Sequence, residues 1–248
     1  MLPEIAFLDP DDGSRLAYRL RAGGSPTLVF LPGYASDMDG AKALALDAFA
    51  GQRGLTMLRF DYSGTGSSEG RFEDGTLERW LDESLLLIDR LSDGPLVVVG
   101  SSMGGWIALH VALRRPKRVA ALVGIAAAPD FTDWGFSAEQ KGQLLAAGRV
   151  EEPNPYGPEP FVTTRAFWES GERLRLLGGT VAVDCPVRLV HGECDEDVPV
   201  AVAMTLMRRL RSADVQLNIL KGGGHRLSEP HEIAAILGTV AALVEMYQ

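Results

Sequence analysis

The chain has 248 residues, a formal net charge of −9 and 46% hydrophobic residues, the profile of an ordinary globular protein long enough to bury a large core. An acidic balance of this size, with no basic block, excludes nucleic acid or an anionic membrane surface as the main partner. Cys185 and Cys194 are too few for a disulfide framework and lack zinc-ligand spacing; with an opening Met1-Leu2-Pro3-Glu4 that has no positive n-region, they predict a cytoplasmic protein, and no apolar run approaches the roughly 18 residues of a membrane span.

Taken in order, residues Glu4 to Leu8 and Arg15 to Leu20 read as an antiparallel hairpin around Asp-Pro-Asp-Asp-Gly. Thr27 to Leu31 is an apolar strand leading into Pro32-Gly33-Tyr34, Ala41 to Phe49 a helix, and Leu55 to Phe60 a further strand. A polar loop, Asp61 to Ser67, precedes a helix ending at Leu91, with Thr76 as its N-cap. Leu96 to Val99 is a short β-branched run suited to a strand buried on both faces. The periodicity then turns helical through Trp106, Leu109, His110 and Leu113, and Pro116 stops the helix. Val119 to Ala126 is the sixth strand.

From Pro129 to Thr180 the rhythm breaks. Helical stretches at Ala138 to Ala147 and Thr163 to Leu177 flank a loop with prolines at 153, 155, 158 and 160, which reads as an insertion over the carboxyl edge of the sheet. The alternation resumes with a strand at Val187 to His191, a helix at Val200 to Arg211, a strand at Val215 to Leu220 and a last helix from Glu232 to Tyr247. The expectation is a single α/β domain over residues 1–248: a mostly parallel eight-stranded sheet, helices on both faces, and a small helical cap at about 130–180.

Chemistry concentrates after the fifth strand. Gly100-Ser101-Ser102-Met103-Gly104 is a G-x-S-x-G match in strand–turn–helix context, where a sharp turn lifts the serine out of the sheet edge at a helix N-terminus. A second match, Gly66-Ser67-Ser68-Glu69-Gly70, follows no strand directly and opens no helix, so Ser102 is the candidate nucleophile and Ser68 a decoy. A serine nucleophile needs a base oriented by a third group. Of the four histidines, His110 falls inside a core helix, His191 ends a strand and His231 opens the last helix. His225, in the loop Lys221-Gly222-Gly223-Gly224-His225-Arg226, can swing over the sheet edge and is the candidate base. The acid is expected between them in sequence, after the penultimate strand, where spacing does not choose among Asp195, Glu196 and Asp197. The backbone N–H groups of Met103 and Tyr34 are the candidate oxyanion donors.

Through PGYASDMDGAKA, RFDYSGTGSSEG, GSSMGGW and CPVRLVHGECDEDVP, the chain resembles the α/β-hydrolases along nearly its whole length. Within them it resembles the branch of the mitochondrial palmitoyl-protein thioesterase that also acts as mycophenolic acid acyl-glucuronide esterase, with its bacterial relatives. The resemblance implies Asp195 as the acid, through the pattern H-G-x-x-D-x-x-V-P, and supports Ser102 and His225. It departs at Gly224, where relatives carry a polar or acidic residue, and is weakest from Phe131 to Leu177, the part that would set acyl specificity.

The function expected is a serine hydrolase of esters or thioesters, with a small-molecule ester or an acylated protein as substrate and no metal or organic cofactor. Substrate contacts are expected from Trp134, Phe136, Trp168 and Arg226, with Phe161 and Phe167 as further aromatics of the insertion. Rival readings are a small-ester or acyl-glucuronide esterase, with Arg165 or Arg226 holding the glucuronide carboxylate, and an acyltransferase on the same residues.

Overall fold

A computed structural model describes residues 2–10, 13–153 and 160–247. Its elements run β1 (Ala6–Leu8), β2 (Leu16–Arg21), β3 (Gly24–Leu31), α1 (Ala41–Arg53), β4 (Leu55–Phe60), α2 (Leu77–Leu91), β5 (Leu96–Ser101), α3 (Met103–Arg114) and β6 (Val119–Ile125). Then come α4 (Phe131–Trp134), α5 (Ala138–Ala147), β7 (Arg149–Glu152), β8 (Phe161–Thr164), α6 (Arg165–Arg173), β9 (Val187–Gly192), α7 (Val200–Arg209), β10 (Val215–Leu220) and α8 (Pro230–Val244).

Eight strands form one sheet in the order β1-β2-β4-β3-β5-β6-β9-β10. Only the β1–β2 and β2–β4 pairings are antiparallel; the remaining pairings, from β4 to β10, are parallel. The apolar runs explain this arrangement. Along β3, Leu28 and Phe30 enter a core shared with α1 and α8, while Val29 and Leu31 enter the opposite core, shared with α2 and α3. Strand β5 alternates in the same way, with Val97 and Val99 on one side and Leu96 and Val98 on the other. A strand covered on both faces has no polar side to show, hence the continuous hydrophobic runs. Thr76 caps α2, its hydroxyl accepting the Arg79 N–H at 3.1 Å.

The segment between β6 and β9 differs from its sequence reading. Thr163 and Thr164, expected to open a helix, instead end a strand, Phe161–Thr164, that pairs antiparallel with Arg149–Glu152, and the helix that follows stops at Arg173 rather than Leu177. The strand's β-branched Val-Thr-Thr suits the extended chain, and the helix starts only at Arg165, where Thr164 caps it by accepting the Phe167 N–H at 3.2 Å. The middle of the proline-rich loop, 154–159, lies outside the described residues. Both ends of the excursion are tied together. The buried Asp130 carboxylate accepts the N–H groups of Leu176 at 2.8 Å and Leu177 at 2.7 Å. Beside it, the Leu174 carbonyl accepts from Trp106 Nε1 at 3.2 Å and meets His110 Nε2 at 2.8 Å. Burial holds the His110 pKa down to about 4, so this histidine is a neutral packing element, as its place in a core helix suggests. Among the described residues no helix is long and apolar enough to cross a membrane.

Candidate active site

Ser102 sits between β5 and α3 with φ 53° and ψ −119°, a sparsely populated conformation that costs on the order of 1–3 kcal/mol. Backbone bonds hold it there: its N–H donates to the Ile125 carbonyl at 2.9 Å, and its own carbonyl accepts from Gly105 at 2.9 Å and Ala128 at 3.1 Å. Residue 104 must be glycine because a Cβ there would lie 2.1 Å from the Leu31 carbonyl oxygen. The first turn of α3 therefore lies against the end of β3. Ser68, the second match, has a different part. Its hydroxyl donates to the Asp61 carbonyl and accepts the Ala17 N–H, both at 2.8 Å, pinning a turn to β2.

Opposite Ser102, the loop after β10 delivers His225. Its Nε2 stands 3.0 Å from Ser102 Oγ and its Nδ1 2.9 Å from Asp195 Oδ2. The hydrogen-bond pattern assigns the Nδ1–H tautomer, with Nε2 free to accept the serine proton. The loops carrying acid and base are laced together: Glu193 N–H donates to the Leu220 carbonyl at 2.9 Å and Cys194 N–H to the Gly223 carbonyl at 2.8 Å. The other oxygen of Asp195, Oδ1, accepts the N–H groups of Asp197 at 3.0 Å and Val198 at 2.8 Å. Burial alone would raise the Asp195 pKa. The bonds from His225 and Val198, with the nearby imidazoles, outweigh it and hold the carboxyl below its ordinary value. Asp197 and Glu196 are exposed, and only Asp195 among the three meets the imidazole.

Sequence reasoning missed the residue behind the acid. His191 is buried at the end of β9, its Nε2 2.8 Å from the Val198 carbonyl and 3.4 Å from Asp195 Oδ2. It braces the turn that presents Asp195; its signal was the first letter of H-G-x-x-D. Asp195, Asp197 and His225 also place ligand atoms within 4.8 Å of one another, yet the Asp195 and His225 atoms face each other at hydrogen-bond distance, the arrangement of an acid–base pair.

Both expected oxyanion donors lie beside the serine. Met103 is the first residue of α3, so its N–H has no carbonyl one turn earlier to bond. A Cβ on Gly33 would sit 3.3 Å from Ser102 Cβ, so the loop leading to Tyr34 runs alongside the elbow. The Tyr34 side chain carries information of its own: it is ringed by Phe72, Trp80, Phe131 and Phe167 at centroid distances of 4.9–6.1 Å.

A cavity of about 210 Å³ opens over the serine, lined by Ser102, His225, Tyr34 and, from the excursion, Phe131, Trp134, Phe136, Phe161 and Thr163. Trp134 and Phe136, two of the expected substrate contacts, are among these lining residues. Trp168 and Arg226 do not line it. Trp168 is one residue on from the buried Phe167, about 100° around α6, and turns to α4, its Nε1 donating to the Thr132 carbonyl at 3.0 Å. Arg226 is exposed beyond His225, its carbonyl accepting from Lys42 Nζ. Arg165 pairs instead with Glu169 at 2.7 Å. The charged groups on the cavity wall are Glu152 and Asp197, both acidic.

Residues 26–153 match the family model of the alpha/beta hydrolase fold. The human mitochondrial palmitoyl-protein thioesterase ABHD10 is 39% identical over 245 residues, covering 97% of this chain and 80% of that protein. Among solved structures, mouse alpha/beta hydrolase domain-containing protein 10 superposes with a TM-score of 0.92 at 35% identity, covering 99% of this chain and all of that one. A putative hydrolase from Agrobacterium vitis S4 superposes with a TM-score of 0.91 at 38% identity, covering 97% and 98% of the two chains. The cytoplasmic expectation is corrected here, because the curated mammalian relatives are named as mitochondrial. The elbow, the family model over more than half of its residues and the full-length relatives agree: this chain belongs to the α/β hydrolase fold family.

Proposed function

We propose that this protein is a serine hydrolase of carboxylic esters and thioesters, acting on acylated proteins or small acyl esters through an acyl-enzyme. The observation that carries the reading is the relay from Ser102 Oγ to His225 Nε2 at 3.0 Å and from His225 Nδ1 to Asp195 Oδ2 at 2.9 Å. His225 takes the Ser102 proton as Oγ attacks the acyl carbon, and the Tyr34 and Met103 N–H groups hold the resulting oxyanion. The imidazolium, steadied by Asp195, gives its proton to the departing alcohol or thiol. Water activated by the same His225 then hydrolyses the acyl-enzyme and frees Ser102. Residues 130–180 act as a cap on a single domain, and Trp134 and Phe136 contact the acyl group.

The relatives' name, palmitoyl-protein thioesterase, and the aromatic lining support an acyl chain on the acid side of the bond. The acyl-glucuronide alternative loses the contacts it relied on, since neither Arg165 nor Arg226 lines the cavity while Glu152 and Asp197 do. The test is hydrolysis of p-nitrophenyl esters and acyl thioesters by the wild type, Ser102→Ala and His225→Ala. Each substitution is expected to lower kcat by about 10⁴ or more; activity that survives Ser102→Ala overturns the proposal.

A further inference from the structure

The cavity over Ser102 is not alone. A second hollow of about 230 Å³ lies on the far side of β8, lined by Ala35, Phe72, Pro160, Phe161 and Val162, with the exposed Arg71–Glu73 ion pair on its outer wall. Strand alternation explains the division: along β8, Thr163 faces the first hollow and Val162 the second. Phe161, at the strand's start, touches both. Phe161 is thus the residue the two hollows share, and Tyr34 stands on the wall of the first. Tyr34 is fixed, its hydroxyl 3.2 Å from the Val162 carbonyl and 3.1 Å from Thr163 Oγ1, with its ring edge-on to Phe72 at 5.0 Å. Phe161 is half-buried and enters none of the ring pairs that lock Tyr34, Phe72, Phe131 and Phe167 among the described residues.

Size gives this partition a consequence. An apolar cavity of about 150 Å³ takes a six-carbon ring. By volume alone, the 210 Å³ beside Ser102 holds at most roughly eight acyl carbons, half of a palmitoyl chain, and Glu152 and Asp197 on its wall leave the apolar side to the aromatic residues. The second hollow doubles the room.

We propose that Phe161 is a specificity-determining wall: acyl chains up to about eight carbons fill the cavity beside Ser102, and longer chains bind by displacing Phe161 and running into the hollow between Arg71 and Val162. This deepens the hydrolase reading and rests on it, since the chain is measured from the acyl carbon at Ser102. A side chain blocking part of an apolar pocket discriminates by the methylenes it excludes.

The experiment measures kcat/KM for p-nitrophenyl esters from acetate to palmitate in the wild type, Phe161→Ala, Arg71→Trp and Ser102→Ala. The quantity read is the palmitate-to-octanoate ratio within each variant, which cancels differences in the amount of active enzyme. Phe161→Ala, which joins the two hollows, is expected to raise that ratio about tenfold. Arg71→Trp, changed at a side chain 73% exposed on the far wall, fills the second hollow and is expected to lower it about tenfold. Should Phe161→Ala be inactive through misfolding, the fall in Arg71→Trp alone supports the wall. Ratios unchanged from wild type in whichever variants are active overturn the wall while leaving the hydrolase standing. Activity retained in Ser102→Ala overturns the hydrolase reading instead.

Discussion

The Tyr34 hydroxyl reaches across the chain to the Val162 carbonyl at 3.2 Å and to Thr163 Oγ1 at 3.1 Å. The loop that carries a proposed oxyanion donor is thereby hooked to the β7–β8 hairpin, which lines the cavity and is proposed to roof it. Burial pushes the phenol pKa well above its ordinary value, so the hydroxyl stays a donor at any working pH.

Tyr34→Phe keeps the backbone amide and the ring but removes the hook. Losing it is expected to cost about 1 kcal/mol, a fall of about 2–4 °C in Tm for a chain of this size. The loosened roof should also raise KM for octanoate several-fold. Calorimetry and steady-state kinetics check both; a variant matching wild type in Tm and KM removes the hook from the argument.

The acid assignment is open to a direct comparison. Asp195→Asn presents an amide where the imidazole needs an acceptor, and is expected to lower kcat by about 10⁴ through the wrong His225 tautomer. Asp197 contributes its backbone N–H to Asp195, at 3.0 Å, while its own side chain is exposed. Asp197→Asn should therefore have much the smaller effect. The opposite ranking would transfer the role to Asp197.

Local patterns made most of the frame readable. Leu55–Phe60 and Val215–Leu220 are strands over the expected residues, because period-two and all-apolar runs bounded by turns have few other uses. The Ser102 elbow was equally plain, since a buried strand, two glycines and a helical stripe come in one short stretch. What stayed hidden depends on contacts far apart in sequence. Nothing near Tyr34 says that its hydroxyl meets residues 162 and 163. Phe167 and Trp168 are neighbours of one chemical kind, and which of them faces the core depends on the angle at which α6 lands. Spacing alone left the acid one of several carboxylates and only the family pattern pointed to Asp195, because side-chain reach across two loops, here 2.9 Å from Asp195 Oδ2 to His225 Nδ1, is invisible in spacing.

Asp61 predicts a pH signature in stability. Its buried carboxylate accepts the Met38 N–H at 2.7 Å and the Ser67 N–H at 2.8 Å, joining the loop beyond Tyr34 to the loop after β4. Burial, helped by Asp37 and Asp39, outweighs those two bonds and pushes its pKa up to about 6, above the roughly 3.9 of an unfolded aspartate. A carboxyl raised on folding holds its proton more tightly in the native state. Its favourable contribution is therefore complete below about pH 4 and lost as pH rises through about 6. Denaturant titrations from pH 4 to 7 should show wild type losing stability relative to Asp61→Asn over that window. A difference between the two that is flat with pH contradicts the assignment.

Asp130 tests whether the excursion from Phe131 to Arg173 is held mainly at its base. The residue adopts φ +58° and accepts the Leu176 and Leu177 N–H groups on its two oxygens, at 2.8 and 2.7 Å. One carboxylate thus ties the start of α4 to the segment just after α6. Asp130→Ala strands two backbone donors, for which a loss of about 2–4 kcal/mol is expected. Asp130→Asn offers one oxygen in place of two and should lose about half as much. The decisive reading is local: hydrogen exchange should accelerate in 131–177 beyond any change in the central strands, because the ties of Trp106 and His110 to Leu174 do not replace a clamp on the Leu176 and Leu177 amides. Uniform acceleration across the sheet would mean that Asp130 supports the whole domain rather than the roof over Ser102.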